Sequence, residues 1–172
     1  PADLLSSTLG GKGLATHLLN EKNPKGVDPL APENHIIVAT GPFCGSRMWG
    51  GSRYGVYTKS PLTNRYAESY SGGKVPEAID AAGFDAVVFK GRSPEPVAVT
   101  IHPDGAQFHS AGDLWGTEAY EAETGAVREF SLDKEGFHKP GAIVIGPAGE
   151  NQVAFALIAN DKWRCAGRAG TG

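Results

Sequence analysis

The sequence predicts an α+β fold built from two pseudo-symmetric β-sheet lobes with short flanking helices. Three observations carry this expectation. Apolar runs of strand length alternate with segments of helical periodicity. An apolar run ends in Gly-Pro twice, at Gly41-Pro42 and at Gly146-Pro147, and each time an arginine follows (Arg53, then Arg164) and after it a glycine-rich segment, 71–73 or 167–172. Finally, 24 of 172 residues are glycine, about double the usual ~7% share, with no collagen-like period. Apolar residues make up 40% of the chain, too many for a disordered segment, so the glycines are assigned to turns and close backbone approaches.

Taken along the chain, residues 12–22 read as a short helix with Leu14, Leu18 and Leu19 on one side. A turn-rich stretch leads to a buried strand, His35-Ile36-Ile37-Val38-Ala39, stopped by Gly41-Pro42. From Arg53 to Thr58 the pattern alternates, Tyr54 and Val56 to one face and Gly55 and Tyr57 to the other. Val75, Ala78, Ile79 and Ala82 form one helical stripe, with Pro76 in the first turn and Gly83 past the end. A strand at 84–89 follows, then a hairpin in which Val97, Val99 and Ile101 alternate and Pro103-Asp104-Gly105 makes the turn. Thr117 is expected to cap a helix reaching about Phe130, with Tyr120, Thr124 and Val127 facing inward. Residues 131–140 are polar and read as a loop, 142–145 as a strand, and 152–159 as an alternating strand.

Several function classes are disfavoured. The net charge of −3 supplies no basic field for nucleic acid or an acidic membrane. There is no apolar run of the ~18 residues a membrane-spanning helix needs, and no basic-then-apolar leader at the start. Cys44 and Cys165 stand alone, outside any Cys-x-x-Cys pair, which disfavours a zinc ribbon or a thioredoxin-type site, and a disulfide between them is not expected. The five histidines show no ligand spacing, and Trp49, Trp115 and Trp163 read as packing residues.

Two constellations could carry chemistry. Ser71-Gly72-Gly73 opens directly into a helix, where free N–H groups and the helix dipole favour an anion and Lys74 adds charge; an ordinary helix start is the competing reading. Arg53 lies among Gly50, Gly51, Ser52 and Gly55, and Arg164 precedes the terminal glycine-rich segment. Arginine's planar fork suits phosphate oxygens and flat heterocycles. Neither glycine-rich segment has P-loop or Rossmann spacing. The residues alone therefore indicate a phosphate-bearing ligand, two arginines and a glycine-rich cradle.

The chain resembles the aldehyde ferredoxin oxidoreductase family in an ordered series of motifs. They are Leu9-Gly10-Gly11-Lys12-Gly13-Leu14, Asp28-Pro29-Leu30-Ala31-Pro32-Glu33-Asn34, Ala39-Thr40-Gly41-Pro42, Ser52-Arg53-Tyr54 with Thr58-Lys59-Ser60-Pro61-Leu62-Thr63, and Ser71-Gly72-Gly73. Ala82-Gly83-Phe84-Asp85-Ala86, Leu114-Trp115-Gly116, Ile145-Gly146-Pro147-Ala148-Gly149-Glu150-Asn151, and Asn160-Asp161 through Arg164-Cys165-Ala166-Gly167-Arg168 complete it. Their joint order and spacing cover nearly the whole chain.

The resemblance implies that residues 1–172 form an N-terminal domain, truncated at both ends, whose two lobes cradle a tungsten bis-pyranopterin, with molybdenum as the alternative metal. It further implies aldehyde oxidation to a carboxylic acid, a 4Fe-4S cluster bound by downstream helical domains, electron transfer to ferredoxin, and a cytoplasmic setting; a homodimer is compatible with it. Position by position, Arg53 would contact a pterin between it and the cluster. Tyr70 and Gly72 would lie at the phosphate side of one pterin, and Arg164, Cys165 and Gly167 at that of the other. Backbone carbonyls of Tyr70 and Cys165 would hold a magnesium ion bridging the phosphates. The family commonly has asparagine at Tyr70 and a small residue at Cys165, substitutions a backbone contact tolerates. No catalytic residue is expected in this stretch. Two readings compete: the same fold in an aromatic acyl-CoA reductase or hydroxyacid oxidoreductase subunit, and a non-catalytic module for another anion such as a nucleotide.

Overall fold

A computed structural model describes residues 2–131 and 140–172. The fold is α+β, as the sequence predicts. Helices α1 (Ala2–Thr8) and α2 (Gly11–Lys22) precede strand β1 (Ile36–Thr40), β2 (Arg53–Lys59) and β3 (Tyr66–Gly72). Helix α3 (Lys74–Ala81) and strand β4 (Ala86–Phe89) follow, then the hairpin β5 (Val97–His102) and β6 (Gly105–Ser110). A 3₁₀ turn (Gly112–Leu114), helix α4 (Ala119–Phe130), the single turn α5 (Pro147–Glu150), and strands β7 (Ile158–Asn160) and β8 (Arg164–Ala166) complete the described elements. The first lobe is an antiparallel sheet in the order β3-β2-β1-β4, and the second holds the short β7-β8 pair.

The alternation read in β2 decides how the layers stack. Its even-numbered Tyr54 and Val56 join Val38, Val75, Ile158 and Ala166 in one core, which fastens the sheet to α3 and to the second lobe. Its odd-numbered Tyr57 joins Ile37 and Ala39 against Ala15 and Leu19 of α2 on the opposite face. A Cβ on Gly55 would run into the Tyr57 ring, so glycine there lets the ring fold back along its own strand. Burying large side chains on both faces explains why β1 reads as a continuous apolar run.

Polar side chains tie the loop before β1 to this sheet. Asn34 Nδ2 donates to the carbonyls of Pro29 and Lys59 at 2.8 and 3.1 Å, and Asn23 Nδ2 donates to Asn34 Oδ1 at 2.8 Å. Burial holds the His35 imidazole below its ordinary titration range. The neutral ring therefore donates from Nδ1 to Asn23 Oδ1 at 2.7 Å.

Several local expectations need correction. Strand β3 was not legible, because its alternation is aromatic or charged against small polar residues. The run at 142–145 makes only a single bridge, Val144 to Ala159. Residues 152–157 are turns, closed by bonds such as Val153 N to Ala148 O at 2.9 Å and Ala156 N to Val153 O at 2.8 Å, and the strand begins only at Ile158. In α4 the buried residues are Ala122, Glu123 and Gly125; Thr124 is exposed, and Thr117 bonds to the Leu114 carbonyl instead of capping the helix. The indoles are not core residues: Trp49 is fully exposed and Trp163 is 82% exposed. The loop expected at 131–140 lies, apart from its two ends, outside the described residues. Both cysteines are free thiols, Cys44 buried and Cys165 exposed.

Candidate functional site

The two arginines singled out by the repeat each open a strand. Arg53 is the first residue of β2 and pairs across the ladder with Gly72, while Arg164 is the first residue of β8 and pairs with Asn160. Strand β8 lies alongside β3, where Ser69 Oγ donates to the Gly167 carbonyl at 2.6 Å. The two side chains converge as a result. A Cβ built on Gly72 would stand 3.6 Å from Arg53 Cδ and 3.7 Å from Arg164 Nη1, and only 2.9 Å from the Ser52 carbonyl. Any residue larger than glycine at 72 would push into the space the arginines share.

Register also places Tyr70 on the same face of the sheet edge as Gly72 and Arg53. Its ring meets Tyr57 edge-on with centroids 5.9 Å apart. Cys165 is exposed between Arg164 and the buried Ala166, and open space surrounds the position a Cβ would take at Gly167. All six residues read from the sequence thus fall on two neighbouring chain segments and the strand beside them. Strands β3 and β8 each have a ladder on one side only, so alternate carbonyls in both lack a ladder partner.

Among the described residues, neither Arg53 nor Arg164 forms an ion pair within 4.0 Å. The Arg53 side chain and the Arg164 guanidinium, drawn to one glycine, are chemically suited to an anion. They line an open groove of about 920 Å³ together with the cations Lys74 and Lys162 and the carboxylates Glu77, Glu123 and Asp161. A smaller apolar cleft of about 310 Å³, lined by Ile36, Val38, Phe89, Ile143 and Ile145, contains no arginine and offers no comparable anion chemistry.

The helix start at Gly73-Lys74 is not the free anion site the sequence suggests. Asp161 Oδ2 accepts the Lys74 backbone N–H at 2.5 Å, so the chain's own carboxylate occupies the positive end of α3. The arginines are left as the candidate anion-binding groups. The carboxylate reaches that point because Gly73, at φ +91° and ψ −146°, carries no side chain; a Cβ there would strike the Asp161 carboxylate and lie 3.0 Å from Arg164 Cδ. Gly73→Ala is expected to destabilise the protein by about 2–3 kcal/mol, from a backbone region reserved for glycine plus the displaced carboxylate. A denaturant midpoint unchanged from the wild type would contradict this.

Sequence reasoning missed the residue that joins the lobes. Asn160 is fully buried. Its Oδ1 accepts from Tyr54 Oη and Ser71 Oγ, both at 2.8 Å, and its Nδ2 donates to the Gly72 carbonyl at 2.8 Å. Burial pushes the Tyr54 phenol up to about 12, so it remains a donor. The only signal in the sequence was the Asn160-Asp161 pair inside the terminal motif.

The family model described as the aldehyde ferredoxin oxidoreductase N-terminal domain matches residues 1–172. Tungsten-containing aldehyde ferredoxin oxidoreductase of Thermococcus kodakarensis is 43% identical across 99% of this chain and 27% of its own length. The protein of the same description from Pyrococcus furiosus is 41% identical across 99% of this chain and 27% of its own. Among solved structures, the active-site complex BamBC of benzoyl coenzyme A reductase, in complex with 1,5-dienoyl-CoA, superimposes with a TM-score of 0.90 at 32% identity, covering 99% of this chain and 25% of that one. The chain spans about a quarter of the length of the relatives it matches.

Proposed function

This chain belongs to the aldehyde ferredoxin oxidoreductase family, and on that premise we propose that it is the cofactor-cradling part of a tungsten bis-pyranopterin enzyme that oxidises aldehydes to carboxylic acids. The observation that carries the proposal is the pair of arginine side chains, Arg53 and Arg164, which meet over Gly72 and form no ion pair among the described residues. The residues fit the group. Two phosphate-bearing pterins require two sets of donors on adjacent strands, close backbone approach, and room above the strands. The arginine pair, the bare Gly72 and the open Gly167 supply these.

In this reading the bound cofactor supplies the two-electron chemistry, and the protein supplies position and electrostatics. Arg53 would contact a pterin, Tyr70 and Gly72 would hold the phosphate side of one, and Arg164, Cys165 and Gly167 would hold that of the other. Carbonyls of Tyr70 and Cys165, each on a strand with an open edge, would ligate a magnesium ion between the phosphates. Each charge-assisted hydrogen bond is worth about 1.5–3 kcal/mol. The cluster ligands, a 4Fe-4S set, and the groups that handle the substrate proton would come from other parts of the protein. Ferredoxin is the electron acceptor in this account and the setting is cytoplasmic. No helix among the described residues is long and apolar enough to cross a membrane.

The structural likeness to a benzoyl-CoA reductase complex supports a second reading, an aromatic acyl-CoA reductase subunit with the same cradle. The two readings separate in one assay of the full-length protein, purified without oxygen. Aldehyde-dependent reduction of ferredoxin, with no turnover of an aromatic CoA thioester, is the expected result. Turnover of the thioester alone would replace the first reading with the second.

A further inference from the structure

Asp161, Lys162 and Trp163 have φ values of 48°, 42° and 53°. Left-handed residues other than glycine occur singly, because Cβ crowds the following carbonyl; three in a row persist only when their surroundings over-determine them. Here each residue has its own anchor. Asp161 Oδ2 accepts from Lys74 N at 2.5 Å and from Asn160 Nδ2 at 3.2 Å. Lys162 N donates to Oε2 of the buried Glu123 at 2.9 Å. The Trp163 ring packs on Tyr120 with centroids 5.0 Å apart. The next residue is Arg164. Neither carboxylate comes within 4.0 Å of the arginine's nitrogens: Asp161 ties its own residue to the Lys74 N–H at the start of α3, Glu123 holds the Lys162 N–H, and both leave the guanidinium free.

We propose that the left-handed turn 161–163 is a positioning device, in which Asp161 and Glu123 hold the backbone so that the Arg164 guanidinium stands beside Arg53 above Gly72 to receive a phosphate group. Asp161 is thus a positioning residue. The inference rests on the anion-cradle reading of the arginine pair. It makes a prediction opposite in sign to simple electrostatics. Removing a carboxylate from the edge of an anion site should tighten anion binding if charge alone matters. Removing the anchor that aims Arg164 should weaken it.

The test uses the full-length protein made in a host unable to synthesise pterin, with inorganic pyrophosphate titrated calorimetrically. The wild type is expected to bind, and Arg164→Ala and Asp161→Ala each to bind about tenfold more weakly, the order of one misplaced charge-assisted contact. Asp161→Asn keeps an acceptor for the Lys74 N–H, so it should match the wild type or bind more tightly. Asp161→Glu keeps the charge but shifts the oxygens, and should be weakened; it also serves if the alanine variant does not fold. Wild-type or tighter binding by Asp161→Glu or by a folded Asp161→Ala, with Arg164→Ala weakened, would overturn the positioning role and leave the cradle intact. No binding by the wild type, or no effect of Arg164→Ala, would remove the cradle reading and this inference with it.

Discussion

Asn160→Ala is expected to be among the most damaging single substitutions in the chain, lowering stability by about 3–5 kcal/mol. The replacement opens a small cavity, but the larger effect is electrostatic. It strands three buried polar groups at once, the Tyr54 and Ser71 hydroxyls and the Gly72 carbonyl. Each unsatisfied buried group costs about 1–3 kcal/mol, partly relieved by local rearrangement. The loss should be smaller in the background of Tyr54→Phe and Ser71→Ala, because the stranded hydroxyls are then gone and only the Gly72 carbonyl remains. The measurement is the denaturant midpoint of the full-length protein and of the variants. A loss below about 1 kcal/mol for Asn160→Ala would mean that water reaches the three groups and that the network does not join the lobes.

The second large effect falls on cofactor retention. Arg53→Ala and Arg164→Ala should each lower the affinity for the phosphate-bearing cofactor about 10- to 100-fold, from the loss of one charge-assisted contact. The double variant should retain almost none after gel filtration. Lysine at either position should be intermediate, since it restores charge without the planar fork. Iron provides an internal control: if the cluster ligands lie elsewhere in the protein, tungsten and pterin fall together while iron stays. Normal tungsten and pterin in the double variant would show that these arginines hold nothing.

Much of the scaffold was legible because hydrophobic burial writes a period into the chain. The strand β1, the two faces of β2, the stripe on α3 and the β5-β6 hairpin all came from apolar spacing and turn residues. Strand β3 escaped for a physical reason. Its inward-facing positions are Ala67, Ser69 and Ser71, and the serines serve as hydrogen-bond donors to Gly167 and Asn160 and not as apolar filling. The segment 152–157 misled in the opposite way: its apolar residues alternate, yet Gln152 at φ 55° starts a run of hydrogen-bonded turns.

At the site, Arg53 stood out because small residues surround it and Arg164 because it holds the matching place in the repeat, and the family motifs supplied Tyr70, Gly72, Cys165 and Gly167. The convergence of the two arginine side chains could not be read, since it depends on how β8 docks against β3. Nor could the occupied helix end. Asp161 lies 87 positions from Lys74, and nothing local marks it as that helix's cap. The left-handed turn likewise carries no glycine, the residue that normally announces such a backbone.

The central claim is that the arginine-and-glycine cradle serves a tungsten bis-pterin. Elemental analysis for tungsten, molybdenum and iron, combined with a pterin assay, on the anaerobically purified full-length protein tests it most directly. The account predicts tungsten and pterin in a ratio of about one to two, together with iron, as a cofactor-led mechanism requires. A folded, full-length protein containing neither pterin nor metal would contradict it, and would reassign the cradle to a different anionic ligand.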